Sequence, residues 1–245
     1  MGGKWKTTEV KSPIDIDYVF SRDTPANKDP DAHSPTLKAY HKLLWSKPLP
    51  NGRCFQLTDT YPRTYLYHKS DLGEFFLNSD AITHSYKNTR ELAQVLEEVP
   101  VDEVDSLYNY GSTIGAYIIF PGNKIDNKMT INGARGCHPR IRDRFDITLE
   151  CIRLYYLSID NPLASVLQRY DDFFSLFVNF QGYVDFFLLE DLVADDYSTV
   201  RFHIPWECFE DSPLPRSKEE YLEYKENTLK FIRSRAKRME NSLLP

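Results

Sequence analysis

The spacing of apolar positions divides this chain into several helices and a few strands. Leu37, Tyr40, Leu44 and Trp45 recur at helical spacing behind Ser34-Pro35, a capping residue followed by proline at the first helical position, and Pro48 ends the run. Cys54 to Leu57 and Thr64 to Tyr67 read as the two arms of a small sheet. Asn88-Thr-Arg-Glu91 has the form of a capping box and predicts a helix to about Glu98, where Pro100 closes it. Val101 to Tyr108 reads as a short helix ahead of an apolar strand at Ile114 to Phe120. Ile141, Phe145, Leu149, Ile152 and Tyr156 then share one face of a central helix expected from Pro139 to about Leu157.

Beyond it, Asn161-Pro162 caps and starts another helix, with Leu163, Val166, Leu167, Tyr170, Phe174 and Phe177 as its buried stripe. Tyr183 to Leu189 is too uniformly apolar to assign by period; a buried helix is favoured over a strand. Thr199 to Ile204 alternates like a strand and stops at Pro205. Ser217-Lys-Glu-Glu220 is a second capping box, opening a long terminal helix with Tyr221, Tyr224, Leu229, Ile232 and Met239 on its apolar stripe.

This order predicts an α+β fold: a single domain over residues 34–245, a mixed sheet packed by several helices, and a long C-terminal helix closing one side. Residues 1–33 carry few periodic apolar positions and end in a Pro- and Asp-rich run, so they read as an extended N-terminal arm. The 16 Tyr, 15 Phe and 3 Trp are enough to build one large core.

A net charge of −6 gives no global field for nucleic acid or an acidic membrane, so any anion must be held locally. Residues 185–211 are acid-rich and residues 230–238 wholly basic, runs expected to be solvated faces or partners of one another. The four cysteines lie far apart with no C-x-x-C pair, and the six histidines show no ligand spacing, so neither a disulfide framework nor a metal site is written. No window is long and apolar enough to span a bilayer, and a cytoplasmic location is expected.

Three stretches, Lys28 to Leu37 with Leu44 to Gly52, Asp143 to Arg153 and Tyr183 to Val193, resemble an uncharacterised bacterial protein family with no assigned activity. The resemblance implies a bacterial intracellular origin and carries over no site residue.

Candidate chemistry gathers at Thr130-Ile-Asn-Gly-Ala-Arg-Gly-Cys-His-Pro139, a glycine-bearing loop feeding the expected central helix. Backbone N–H groups at a helix start, the forked donors of Arg135, Arg140 and Arg144, the amide of Asn132 and the imidazole of His138 would suit a phosphate or nucleotide-like anion. Arg140 and Arg144 would stand at i, i+4 on the helix, where like charges repel and call for a negative partner. That partner is the acid-rich 185–196 segment, an external anion or a protein interface. Asp146 is expected to pair with Arg142 on the same helix. Neither a P-loop ending nor a dinucleotide turn is present, so no cofactor is named. The expected function is a binding or regulatory protein with an anionic-ligand pocket at residues 132–144. An enzyme acting on a phosphate-bearing or nucleic-acid substrate through the same loop, and a protein-interaction module, are the alternatives.

Overall fold

The computed structural model describes residues 12–244, so the first part of the expected arm lies outside them. In chain order the helices are α1 (Pro30–His33), α2 (Pro35–Trp45), α3 (Ala93–Glu98), α4 (Val101–Tyr110), α5 (Ile131–Cys137), α6 (Phe145–Tyr156), α7 (Ala164–Gln168), α8 (Asp171–Ser175), α9 (Phe180–Phe187) and α10 (Lys218–Ser242). The strands are β1 (Lys47–Pro48), β2 (Cys54–Phe55), β3 (Leu66–Ser70), β4 (Gly73–Ala81) and β5 (Tyr117–Pro121). The expected α+β class stands, with both sheets antiparallel where a mixed one was expected.

Strand β4 is the centre of the larger sheet. It pairs with β3 from Leu66↔Leu77 to Ser70↔Gly73, and with β5 from Leu77↔Pro121 to Ala81↔Tyr117. Every residue of β5 is buried, as a strand covered on both faces requires. Cys54 and Phe55 pair with Lys47 and Pro48 rather than with residues 64–67, which join the larger sheet from Leu66 onward. Thr199 to Ile204 forms no strand; among the described residues a single bridge, Val193↔Val200, is its ladder contact.

One continuous apolar core joins these pieces, and aromatic rings fill much of it. The segment Tyr183 to Leu189 falls mainly in helix α9, whose N-terminus is capped by Asn179 Oδ1 accepting from Gly182 N at 2.8 Å. Phe177, Tyr183, Phe186 and Phe187 form a cluster of tilted and edge-on rings 5.0–5.3 Å apart, the geometry that the ring quadrupole favours. Before α1, Phe20 is fully buried and its N–H bonds to the Ser112 carbonyl, which pins residues near the start of the described chain to the end of α4. Helix α10 crosses the molecule, and Arg238 on it pairs with Glu190 and Asp191, joining the basic run to the acid-rich one.

Local caps account for several helix starts. Ser34 Oγ accepts from Leu37 N at 3.1 Å, and Ser217 Oγ accepts from Glu220 N at 3.2 Å. Glu220 reaches back not to the cap itself but to Arg216 N at 2.7 Å. Ser217→Ala should therefore lower stability by about 1 kcal/mol, the usual cost of losing such a cap. A shifted denaturant midpoint at unchanged slope is the expected reading. The capping box at Asn88 does not form: the chain enters α3 through a tight turn at Arg90–Leu92 with no side-chain cap, and Glu91 pairs instead with Arg142.

Candidate functional site

Helix α6 begins at Phe145, not at Pro139, and the reason lies in the backbone. Arg142 and Asp143 both occupy left-handed conformations, with φ of 49° and 61°, which no continuous right-handed helix accommodates. Residues 131–137, expected as a loop, form the short helix α5, capped by Thr130 Oγ1 accepting from Gly133 N at 3.3 Å. Arg140 and Arg144 are consequently not one turn apart on a helix, and the repulsion that would draw an anion between them is absent.

Each of the five candidate residues has a definite place. Arg144 is fully buried and forks onto Asp146, with Nε to Oδ1 at 2.8 Å and Nη2 to Oδ2 at 2.5 Å. Its Nη1 donates to the Pro213 carbonyl at 2.9 Å. Asp146 also accepts from His203 N at 2.8 Å, so its expected partner Arg142 is replaced by Arg144. Burial alone would raise the Asp146 carboxyl, but the Arg144 guanidinium and these donors hold it well below the usual carboxylate range. Arg140 is half exposed and lies 3.6 Å from Glu210, outside the 185–196 segment. His138 stays beside it at the surface, its Nδ1 accepting from Arg140 N at 3.2 Å. Only Asn132 and, through its carboxylate partners, Arg135 belong to a common feature.

That feature is a cleft of about 670 Å³ between the turn leading into α1, the end of β4, the end of α4 and the α5–α6 turn. Four carboxyl groups from three separate parts of the chain converge on it: Asp29, Asp31, Asp80 and Asp143. Behind two of these carboxylates Arg135, almost wholly buried, donates through Nη1 to Asp80 Oδ2 at 3.0 Å and lies 3.3 Å from Asp143 Oδ1. Its remaining donors reach the Ala81 carbonyl, the Asp143 carbonyl and Thr148 Oγ1. The left-handed turn at 142–143 thus hangs from Arg135 by backbone and side chain together, which fixes the Asp143 carboxylate over the cleft. Gly136 makes that approach feasible, because a Cβ there would meet both Asp143 oxygens at 3.2 Å.

The carboxyls differ in their environments. Burial pushes Asp80 up to about 6 against the pull of Arg135, with the Asp143 charge adding to the rise. Asp31 is pushed up to about 8 by burial, by a hydrogen bond with the Asp29 carboxylate and by the charges of Asp29 and Asp80. Its Oδ1 is buried without a hydrogen-bond partner. His84 stacks on Tyr86 with ring centroids 4.8 Å apart, accepts from Tyr86 N through Nδ1, and presents Nε2 at 3.9 Å from Asp143 Oδ2. Burial lowers its pKa against the attraction of Asp143, which favours the neutral ring. Lys87 at the rim pairs with Asp105.

Asp29, Asp31, Asp80 and His84 are missed by a motif reading, because no local spacing links them. The one available signal is Lys28-Asp-Pro-Asp31, which places two carboxyls around a proline at the entrance to a helical turn. Among the described residues, no group of three or more His, Cys, Asp or Glu is arranged to hold a metal ion. Also among them, no helix is long and apolar enough to cross a membrane, and all four cysteines are free, with Cys151 buried.

The fold and cleft together define an α+β protein with a carboxyl-rich cleft, two of whose carboxylates are held by one buried arginine. By sequence the chain belongs to a family of unknown function, DUF6994, whose family model matches residues 14–239. No curated protein and no solved structure matches it.

Proposed function

We propose that this chain is an enzyme whose active centre is the acidic cleft, transferring protons between carboxyl groups and a neutral or cationic substrate. The observation that carries this reading is the convergence of Asp29, Asp31, Asp80 and Asp143 on one cleft, with the buried Arg135 guanidinium holding Asp80 and Asp143. Asp80 is buried and Asp31 largely so, and burial disfavours the charged form of each, which keeps a proton in the cleft towards neutral pH. Asp31 holds that proton, its pKa raised by burial and by the neighbouring Asp29 and Asp80 charges. Arg135 orients Asp80 and Asp143 beside it, and His84 Nε2 faces the same space. A pair of titratable groups whose surroundings push their pKa values apart is what acid–base catalysis at neutral pH requires.

An anionic ligand at residues 132–144 fits this arrangement less well. Such a ligand would compete with Asp146 for Arg144 and with Glu210 for Arg140, and Asn132 would present it to a wall of carboxylates.

Difference infrared titration tests the proposal without knowledge of the substrate. Wild type should retain a protonated-carboxyl band at pH 7 that Asp31→Asn removes. In a screen of chromogenic neutral and cationic substrates, any turnover found should be lost in the same variant. Absence of the band, together with turnover unaffected by Asp31→Asn, would overturn the assignment.

A further inference from the structure

We propose that a groove between the end of α6, α7 and α8 is a docking surface for a partner protein's amphipathic helix, one whose apolar stripe is bordered by lysine or arginine. The groove shares no lining residue with the acidic cleft, so the two readings stand or fall separately.

The groove encloses about 820 Å³. Two tyrosine rings in its lining are held in place: the Tyr156 hydroxyl donates to the Phe174 carbonyl at 2.7 Å, and the Tyr155 hydroxyl donates to Asp171 while its ring packs on Phe174 with centroids 5.3 Å apart. Ile159 and Val178, also in the lining, are 50% and 62% exposed, and Leu157, set between the lining residues Tyr156 and Ser158, is 54% exposed. Single exposed aliphatic residues are ordinary, but several gathered at one groove mark a contact surface. Val178 is the most telling of them. Its φ is 70°, a left-handed conformation that strains a β-branched side chain and that glycine or asparagine adopts more easily. An exposed valine there is unfavourable for its backbone and for its surface, and an apolar side chain laid over it removes the second disadvantage.

Charge decides between occupants. Asp160 and Asp171 line the groove, no lysine, arginine or histidine lines it, and among the described residues neither carboxylate is paired with a cation. Apolar walls with an acidic rim favour a partner whose apolar residues are flanked by cations and disfavour one flanked by Asp or Glu. The walls are helices and their connecting turns, and no strand borders the groove to offer free backbone groups, so the occupant is received through its side chains. An amphipathic helix presents apolar and charged residues in that arrangement.

The test is fluorescence anisotropy on the intact chain with a labelled helical peptide of leucine and lysine, about 14 residues long. A peptide with glutamate in place of lysine, and phosphatidylcholine vesicles, are run beside it. The lysine peptide should bind, and the glutamate peptide and the vesicles should not. Val178→Asn and Ile159→Ser should each weaken binding by roughly tenfold, as should Asp160→Asn combined with Asp171→Asn. Asp102→Asn, at an exposed carboxylate on α4, should leave binding unchanged. Asparagine suits the left-handed backbone at 178, so the Val178→Asn variant should melt at or above the wild-type temperature, which separates a lost contact from a lost fold. The proposal would be overturned by no binding of the lysine peptide, by equal binding to wild type, Val178→Asn and Ile159→Ser, by equal binding of the glutamate peptide, or by an Asp102→Asn effect as large as that of the groove variants. A dimer seen by sedimentation, or vesicle binding, that Val178→Asn abolishes would overturn it too, since either assigns the groove to a different occupant.

Discussion

Replacing Arg144 with methionine should cost roughly 3–5 kcal/mol of stability, the usual consequence of stranding one member of a buried ion pair. Arg144 and Asp146 both have side chains with 0% exposure, so water cannot take over the carboxylate when the guanidinium is gone. The Asp146 carboxylate would keep the His203 N–H as a donor but lose the fork, and a neutral side chain of similar length restores packing without restoring charge. Against a typical total of about 5–15 kcal/mol, a loss of this size is a large fraction of the fold's stability. Arg144→Met combined with Asp146→Asn should recover part of it, because the uncompensated charge is removed together with its partner. Asp146 has a depressed pKa in the folded state, so its contribution is complete above the ordinary carboxylate range and is lost as pH falls towards the folded value. Urea titrations at pH 7 with unchanged slopes supply the measurement. A single variant within about 1 kcal/mol of wild type would mean that Arg144 is not the counter-ion of a buried carboxylate.

The same pair illustrates which parts of this molecule its sequence discloses. Helices α2 and α10 are legible because cap and apolar stripe agree: Ser34 with Leu37, Tyr40, Leu44 and Trp45, and Ser217 with Tyr221, Tyr224, Leu229, Ile232 and Met239. Strand β4 escapes notice because Ser79 and Asp80 occupy buried positions where a strand pattern expects apolar residues. Their presence makes sense only in three dimensions, where Ser79 Oγ lies 2.9 Å from His41 Nε2 and Asp80 meets Arg135. The start of α6 is misread because Pro139 resembles a first helical residue, whereas two consecutive non-glycine residues at positive φ leave no sequence mark. Arg135 is recognisable as a residue with unusual work to do, but its partners lie 55 residues before it at Asp80 and 8 after it at Asp143. Both distances exceed any helical or strand period. A site assembled from distant segments is invisible to spacing, and of the five candidate residues Asn132 alone lines the cleft.

Stability should fall as pH rises from about 5 to 8 relative to the variant Asp31→Asn, and this difference isolates the acid at the centre of the cleft. A carboxyl with a raised folded-state pKa binds more protons in the native than in the unfolded chain between its ordinary value of 3.8 and about 8. The native state is favoured at the acidic end of that window and loses the advantage as pH climbs through it, with a limiting slope of about 1.4 kcal/mol per pH unit for one extra proton. Water reaches part of the Asp31 side chain, so a total difference on the order of 1–2 kcal/mol is expected. The variant carries a neutral amide in the same shape and escapes this term, so the two proteins should be closest in stability near pH 5 and diverge towards pH 8. Comparing variant with wild type at each pH is necessary because His41, His84 and His203, all with lowered pKa values, act in the opposite direction below 6.5. Asp29, Asp80, Tyr65 and Tyr117 interact electrostatically with Asp31, and of these Asp80 also titrates within the window, at about 6. Asp80→Asn provides the contrast: it removes a titrating carboxyl but also the partner of Arg135, and should destabilise the chain at every pH. Parallel curves for wild type and Asp31→Asn from pH 5 to 8 would show that Asp31 ionises like any surface carboxylate, and the proton donor assigned to the cleft would have to be sought elsewhere.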